Sequence, residues 1–330
     1  QVFCRTPQGD FTATYGSTAR GSTTPPTAGT HFRIASNTKT MTAAVILLLA
    51  QEGKLRLDDP VSKYVDGVPG GDAITLAELL EMRSGLYNYT EAPELWASLD
   101  GEPGRARSSA EMLAIAFAHP AKASPGTEYE YNNTNYALLG LVAEKVDGKP
   151  LALVMRDRLF APLGMSDTLL PASTDTSIPE PFARGYGYGS TAVVLSDTSP
   201  YPPEEKAAAI AGTLEPNDYT ELNPSFASAA GGVVSTADDL AVWMRALVGG
   251  QVLDAETQRR WRDSLKPEDP GKPGGQRYGF GISELRWGPN AIWFHGGETP
   301  GYNSKIVHDP ANELTLVVWT TMALSLDGQQ

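Results

Sequence analysis

The sequence predicts a mixed α/β (α+β) fold, an antiparallel sheet flanked by helices with a helical lobe inserted into it. Three observations carry this. Short strand-like runs crowd the last third of the chain and recur at its very start. Apolar helical runs fill the middle. The 330 residues, 41% of them apolar, can bury one large core or two packed lobes. The economical arrangement is a single domain over 1–330, with the N-terminal hairpin joining the C-terminal strands. Its sheet lobe would comprise about 1–60 with 226–330, and its mainly helical, irregular lobe 61–225.

Each element has a local reason. Residues 2–5 and 11–15 read as a hairpin around the turn residues Pro7-Gln8-Gly9-Asp10. Residues 21–30 are a Thr/Pro/Gly loop. The spacing predicts a helix over 38–53, opened by Ser/Asn/Thr and closed by Gly53. Its apolar stretch (MTAAVILLLA) is half the roughly 20 residues a membrane span needs, so it reads as a buried helix. Asp58-Asp59-Pro60 opens a short element. Thr75 with Glu78 forms a capping box whose helix ends near Ser84-Gly85. Helices are expected over 109–119 and 133–147, the second closing at Gly148. A long irregular stretch, 170–225, signals a functional loop, a mobile one, or one hiding small elements. Thr236 caps a helix to about 247, with Asp238 and Asp239 favourable in its first turn. Strands follow over 278–285, 291–295, 302–307 and 314–320.

Composition narrows the function. A net charge of −13 argues against a nucleic-acid partner. One cysteine, Cys4, allows neither an internal disulfide nor a cysteine-rich metal site. The four histidines lack metal-ligand spacing, and GxSxG, HExxH and P-loop motifs are absent. What remains is three short motifs, each unique in the chain. Ser36-Asn37-Thr38-Lys39 is an SxxK where a loop enters the apolar helix, so Ser36 and Lys39 share one helix face. A serine hydroxyl needs a base within reach, and a lysine serves once burial lowers its pKa. Tyr131-Asn132-Asn133 is a YxN, and His295-Gly296-Gly297 is an HxG at a strand end. Singly these are a helix cap, a turn tyrosine and a hairpin end. Together, in this order, they are a constellation.

That constellation resembles the penicillin-recognising serine hydrolases: class C β-lactamases, Streptomyces-type D-Ala-D-Ala carboxypeptidases, D-aminopeptidases and related esterases. The SxxK, YxN and HxG forms are most similar to the carboxypeptidase and D-aminopeptidase branch, since a class C β-lactamase would carry lysine at the position of His295. The similarity extends to Glu52-Gly53-Lys54-Leu55, Leu57-Asp58-Asp59-Pro60-Val61, Leu79 to Leu86, Pro162-Leu163-Gly164-Met165 and Ala230 to Thr236, over roughly 10–320. It implies a β-lactamase/transpeptidase-like catalytic domain with its site in the cleft between the lobes. The family also has helices at both termini that pack on the sheet, and the expectation is a chain that begins after the first and stops before the last.

The resemblance also implies roles. Ser36 attacks the substrate carbonyl and is acylated. Lys39 and Tyr131 share the proton work, and either could be the base. Asn133 binds the substrate amide and helps hold Lys39, while His295 sits beside Tyr131 and tunes it. The oxyanion hole is the backbone N–H of Ser36 and of Glu298. Gly296 and Gly297 let substrate lie against the strand. Tyr87, Thr90 and Phe226 line the acyl pocket, and 186–222 overhangs the cleft. Neither cofactor nor metal is implied, and the partner is a small-molecule or peptide substrate, β-lactams among the candidates. A secreted or extracytoplasmic location is expected.

Two departures soften a strict carboxypeptidase reading. Gly296, Glu298 and Ser283 stand where that branch binds the substrate's terminal carboxylate with hydroxyl and basic residues. Glu298 would repel a carboxylate and favour an amide, ester or amine, although Arg277 or Arg286 could compensate. The expected activity is cleavage of D-amino-acid peptides or amides. The alternatives are a carboxylesterase or β-lactamase on the same fold, or a non-catalytic peptide-binding homologue.

Overall fold

The computed structural model describes residues 1–196 and 201–323. A hairpin opens the chain, β1 (Val2–Thr6) and β2 (Gly9–Ala13), turning at Pro7-Gln8. β3 (Phe32–Arg33) leads through a 3₁₀ turn, Ala35–Asn37, into α1 (Thr38–Gln51). The helical lobe contains α2 (Leu76–Leu80), α3 (Pro93–Gly101), α4 (Ser109–Ala118), α5 (Asn133–Asp147) and α6 (Leu151–Met155), the last continuing as a π turn over Arg156–Phe160. Short pieces follow: β4 (Tyr186–Gly187), α7 (Thr191–Leu195), α8 (Pro203–Ile210), β5 (Asn217–Asp218), α9 (Ser228–Gly231) and β6 (Val234–Ser235). Then come α10 (Ala237–Val248), α11 (Ala255–Asp263) and six strands: β7 (Lys266–Pro267), β8 (Arg277–Tyr278), β9 (Ser283–Trp287), β10 (Asn290–Thr299), β11 (Tyr302–Asp309) and β12 (Leu314–Thr320).

The sheet order is β2-β1-β12-β11-β10-β9-β8-β7, with every neighbouring pair antiparallel. The N-terminal hairpin thus joins the C-terminal strands, as the sequence predicts. Buried and partly exposed residues alternate along β10 to β12, because successive side chains point to opposite faces. α1 lies at the centre, buried from Thr38 to Leu47 and again at Leu49, which is why its sequence is apolar all round rather than amphipathic. The capping box expected at Thr75 with Glu78 is formed, and a second, which the sequence reading did not include, joins Ser108 with Glu111.

Three expectations change in detail. The strand expected over 278–285 is two strands, interrupted at Gly279 to Ile282, where Gly281 takes φ +71°. The helix expected to reach Ser84 stops at Leu80. The strand expected over 291–295 runs on to Thr299. β9 pairs with β10 only as far as Phe294, so from His295 onward β10 keeps β11 as a partner but, among the described residues, no strand pairs with it on its β9 side.

Candidate active site

The free edge of β10 faces the nucleophile turn. From Thr30 to Leu47 only Ser36 is partly exposed, and every other residue is buried. Ala35, just before it, sits at φ +48°, a left-handed conformation that costs a non-glycine residue energy and tightens the turn. Ser36 is therefore pushed out of an otherwise closed segment into a cleft of about 1360 Å³. Tyr131, Asn133, His295 and Glu298 line the same cleft.

Lys39 Nζ lies 2.8 Å from Ser36 Oγ and donates to the Ala230 carbonyl at 2.7 Å. Its side chain is wholly buried, and among the described residues no carboxylate pairs with it. Desolvation without a counter-charge holds the amine well below the ordinary lysine value. Tyr131 lines the cleft beside Ser36, and Lys39 Nζ lies 4.8 Å from the centre of the Tyr131 ring. Burial raises the Tyr131 pKa, with the neighbouring Ser36 hydroxyl opposing the effect, so the phenol stays protonated. The two candidate bases are thus pushed in opposite directions: Lys39 toward the free amine, Tyr131 toward the neutral acid.

Asn133 opens α5, and its hydrogen bonds run to Asn88 and Thr90. Its Nδ2 donates to Thr90 Oγ1 at 2.9 Å and its backbone N–H to Asn88 Oδ1 at 3.1 Å. Lys39 is held instead by Ser36 and the Ala230 carbonyl, a main-chain partner that no sequence motif shows. Thr90 is buried and supports Asn133. Tyr87 lines the cleft with its ring stacked on His119 at 4.0 Å. Phe226 does not line the cleft: it is 3% exposed in the core, and its carbonyl accepts from the Tyr89 hydroxyl at 2.8 Å.

His295 sits with its ring centre 6.3 Å from that of Tyr131, yet both its nitrogens are engaged elsewhere. Nδ1 donates to the Gly296 carbonyl at 2.6 Å, and Nε2 accepts from the Tyr278 hydroxyl at 3.1 Å. Burial, then the nearby Lys39, drive its pKa down to about 3. The imidazole is neutral and tied to Tyr278, a residue that enters the sequence reading only as the start of the strand expected over 278–285. The two arginines that could have received a substrate carboxylate are committed as well. Arg277 is ion-paired to Glu284, and Arg286 lies 3.5 Å from the same carboxylate.

Gly297 explains how closely strand and turn approach. A Cβ there would lie 2.1 Å from the Ile34 carbonyl oxygen, whereas one at Gly296 would meet nothing nearer than 4.0 Å. Across the cleft, α7 supplies Val194 and Leu195, with Trp96 of α3 beside them. The Thr191 backbone N–H, donating to Asp100 Oδ1 at 3.0 Å, ties the two helices together. The stretch 186–222 thus reaches over the cleft through α7; residues 197–200 of it lie outside the described part. Among the described residues no three acidic, histidine or cysteine side chains gather as a metal site, and no helix is long and apolar enough to cross a membrane.

Comparison with known proteins places this geometry. A putative D-alanyl-D-alanine carboxypeptidase of Escherichia coli K12 is 24% identical over 307 residues, spanning 88% of this chain and 69% of its own. The D-stereospecific amidohydrolase from a Streptomyces species superposes with a TM-score of 0.83 at 29% identity, over 98% of this chain and 88% of that one. The D-amino acid amidase from Ochrobactrum anthropi SV3, complexed with L-phenylalanine, gives 0.79 at 28% identity, over 97% and 85%. The Beta-lactamase family model matches residues 6–327. With that match running nearly end to end, the chain belongs to the β-lactamase family and is a serine hydrolase.

Proposed function

We propose that the protein hydrolyses amides and peptides of D-amino acids through an acyl-enzyme on Ser36. The observation that carries the mechanism is the desolvated Lys39 amine 2.8 Å from Ser36 Oγ. In this reading the free amine takes the serine proton as Oγ attacks the carbonyl. Tyr131, held protonated by burial and lining the cleft beside Ser36, gives its proton to the leaving nitrogen. The backbone N–H groups of Ser36 and Glu298 receive the developing oxyanion, a contribution of roughly 3 kcal/mol per donor. Asn133 binds the substrate amide, and the free edge of β10 supports the substrate backbone. Water then attacks the acyl carbonyl and gives a proton to the Tyr131 phenolate. The Lys39 ammonium returns its proton to Ser36 Oγ, which releases the acid and restores both groups.

The D-amino-acid preference is supported by the two amidohydrolase structures, both above 25% identity. Preference for an amide over a free carboxylate is supported by Glu298 at the cleft and by the commitment of Arg277 and Arg286 to Glu284. Simple D-amino-acid esters, with an easier leaving group, are turned over as well. The experiment is a panel of D- and L-phenylalanine amides and a D-Ala-D-Ala peptide, with Ser36→Ala as control and intact mass after benzylpenicillin. Expected are D-amide turnover lost in Ser36→Ala and little benzylpenicillin adduct. Turnover of the carboxylate-bearing peptide above that of the amide would overturn the substrate assignment, and retained activity in Ser36→Ala would overturn the nucleophile.

A further inference from the structure

We infer that Asn37 is a positioning residue that sets the width of the oxyanion hole by clamping the nucleophile turn to β10 through Ser304. The inference rests on the acyl-enzyme reading and adds to it the residue that fixes the geometry of the hole. Asn37 directly follows the nucleophile and is fully buried. Its Nδ2 donates to the Ile34 carbonyl at 3.0 Å, within the turn, and to Ser304 Oγ at 2.8 Å, on β11. Ser304 stands opposite Gly297 in the β10–β11 register. Its hydroxyl also lies 3.3 Å from the Ile34 carbonyl. The clamp fills the space a side chain at 297 would need, since a Cβ there would lie 2.7 Å from Asn37 Nδ2 and 2.9 Å from Ser304 Oγ.

The two oxyanion donors sit on either side of this clamp. Ser36 is one residue before Asn37, and Glu298 is one residue after Gly297. An oxyanion hole works only when its donors are placed within a few tenths of an ångström, and an error of about 1 Å can cost about 100-fold. The fold itself gains little from an asparagine here. Oδ1 of Asn37 is buried and has no hydrogen-bond partner among the described residues. A buried carbonyl without a donor is unfavourable, and a leucine of similar shape would avoid it. What leucine cannot do is tie the turn to the strand.

The test uses Asn37→Leu and Ser304→Ala, singly and together, with D-phenylalanine amide as substrate and phenylboronic acid as the tetrahedral probe of the hole. Wild type and Ser36→Ala are the references. Asn37→Leu should lower kcat about 30- to 100-fold with KM within about threefold, and weaken phenylboronic acid by a similar factor. Its thermal midpoint should hold or rise. Adding Ser304→Ala should cost little more, because both substitutions remove one link. Should Asn37→Leu fail to fold, Ser304→Ala alone carries the test, with a five- to tenfold loss in kcat and boronate affinity at an unchanged midpoint. Wild-type kcat in a folded variant would overturn the inference. So would a fall in midpoint with boronate affinity unchanged, the mark of a purely structural role. A wild-type enzyme that neither turns over the panel nor binds the boronate through Ser36 would overturn the acyl-enzyme reading and the clamp with it.

Discussion

Gly297→Ala tests the geometry of the site with a single methyl group. The backbone φ at 297 lies outside the left-handed region, so alanine can adopt it and the effect is one of space alone. The added Cβ would meet the Ile34 carbonyl oxygen at 2.1 Å, Asn37 Nδ2 at 2.7 Å and Ser304 Oγ at 2.9 Å. Restoring an ordinary carbon–oxygen contact requires strand and turn to separate by about 1 Å, because the atoms it strikes are held on both sides of the clamp. A displacement of that size, or the loss of one oxyanion donor, costs about 10²–10³ in kcat, or about 3–4 kcal/mol of transition-state stabilisation. Gly296→Ala is the matched control, with nothing within 4 Å save one contact at 4.0 Å. It should keep its thermal midpoint and retain kcat within about tenfold. The assay is ammonia release from D-phenylalanine amide well below the melting temperature, with acyl-enzyme mass as a second readout. Gly297→Ala retaining more than a tenth of wild-type kcat, or the two variants behaving alike, would refute the reasoning.

Lys39→Arg keeps a cation but cannot supply a free amine, so acylation should fall at least about 10³-fold, read as the rate of mass increase. Because folding depresses the pKa of Lys39, the unfolded chain binds more protons between the folded pKa and 10.5, and stability rises with pH over that window. Lys39→Met should therefore raise the thermal midpoint at pH 7, with the gain fading as pH approaches 10.5. His295, at about 3 in the fold against 6.5 unfolded, costs stability progressively as pH falls from 6.5 toward 3. Urea midpoints of His295→Gln should show a flatter acid limb across those values. Thr75→Ala and Ser108→Ala should each cost about 1 kcal/mol in urea unfolding, with catalysis at wild-type levels.

The elements that the sequence disclosed are those whose cause is local. The cap at Thr75 needs only Glu78, three residues on, and the Ser36–Lys39 pair needs only one turn of helix. α11 escaped notice because its sequence is almost wholly polar, with Gln258 and Trp261 its buried residues. α3 escaped because it starts at Pro93 and is short. At the site, what stayed hidden depends on register and long-range packing. The bond between Tyr278 and His295 exists only once β8, β9 and β10 are aligned. Asn37 reads as a spacer inside SxxK until β11 brings Ser304 to it. Phe226 was expected at the cleft, but a buried aromatic and a cleft-lining one leave the same mark in a sequence. Arg277 and Arg286 read as free cations because Glu284, the acid that occupies both, becomes their neighbour through strand geometry.

The edge of β10 from His295 to Thr299, to which no strand among the described residues pairs on the β9 side, bears on association as well as catalysis. Open strand edges invite other chains to add on, and proteins usually blunt them with charge, bulges or cover. Here the edge is recessed, walled by the nucleophile turn on one side and overhung by α7 across the cleft. An extended peptide that adds to this edge would lie about 4.8 Å from β10 in the hydrogen-bonding direction. The turn that carries the nucleophile thus also serves as cover for a strand edge that would otherwise lie bare.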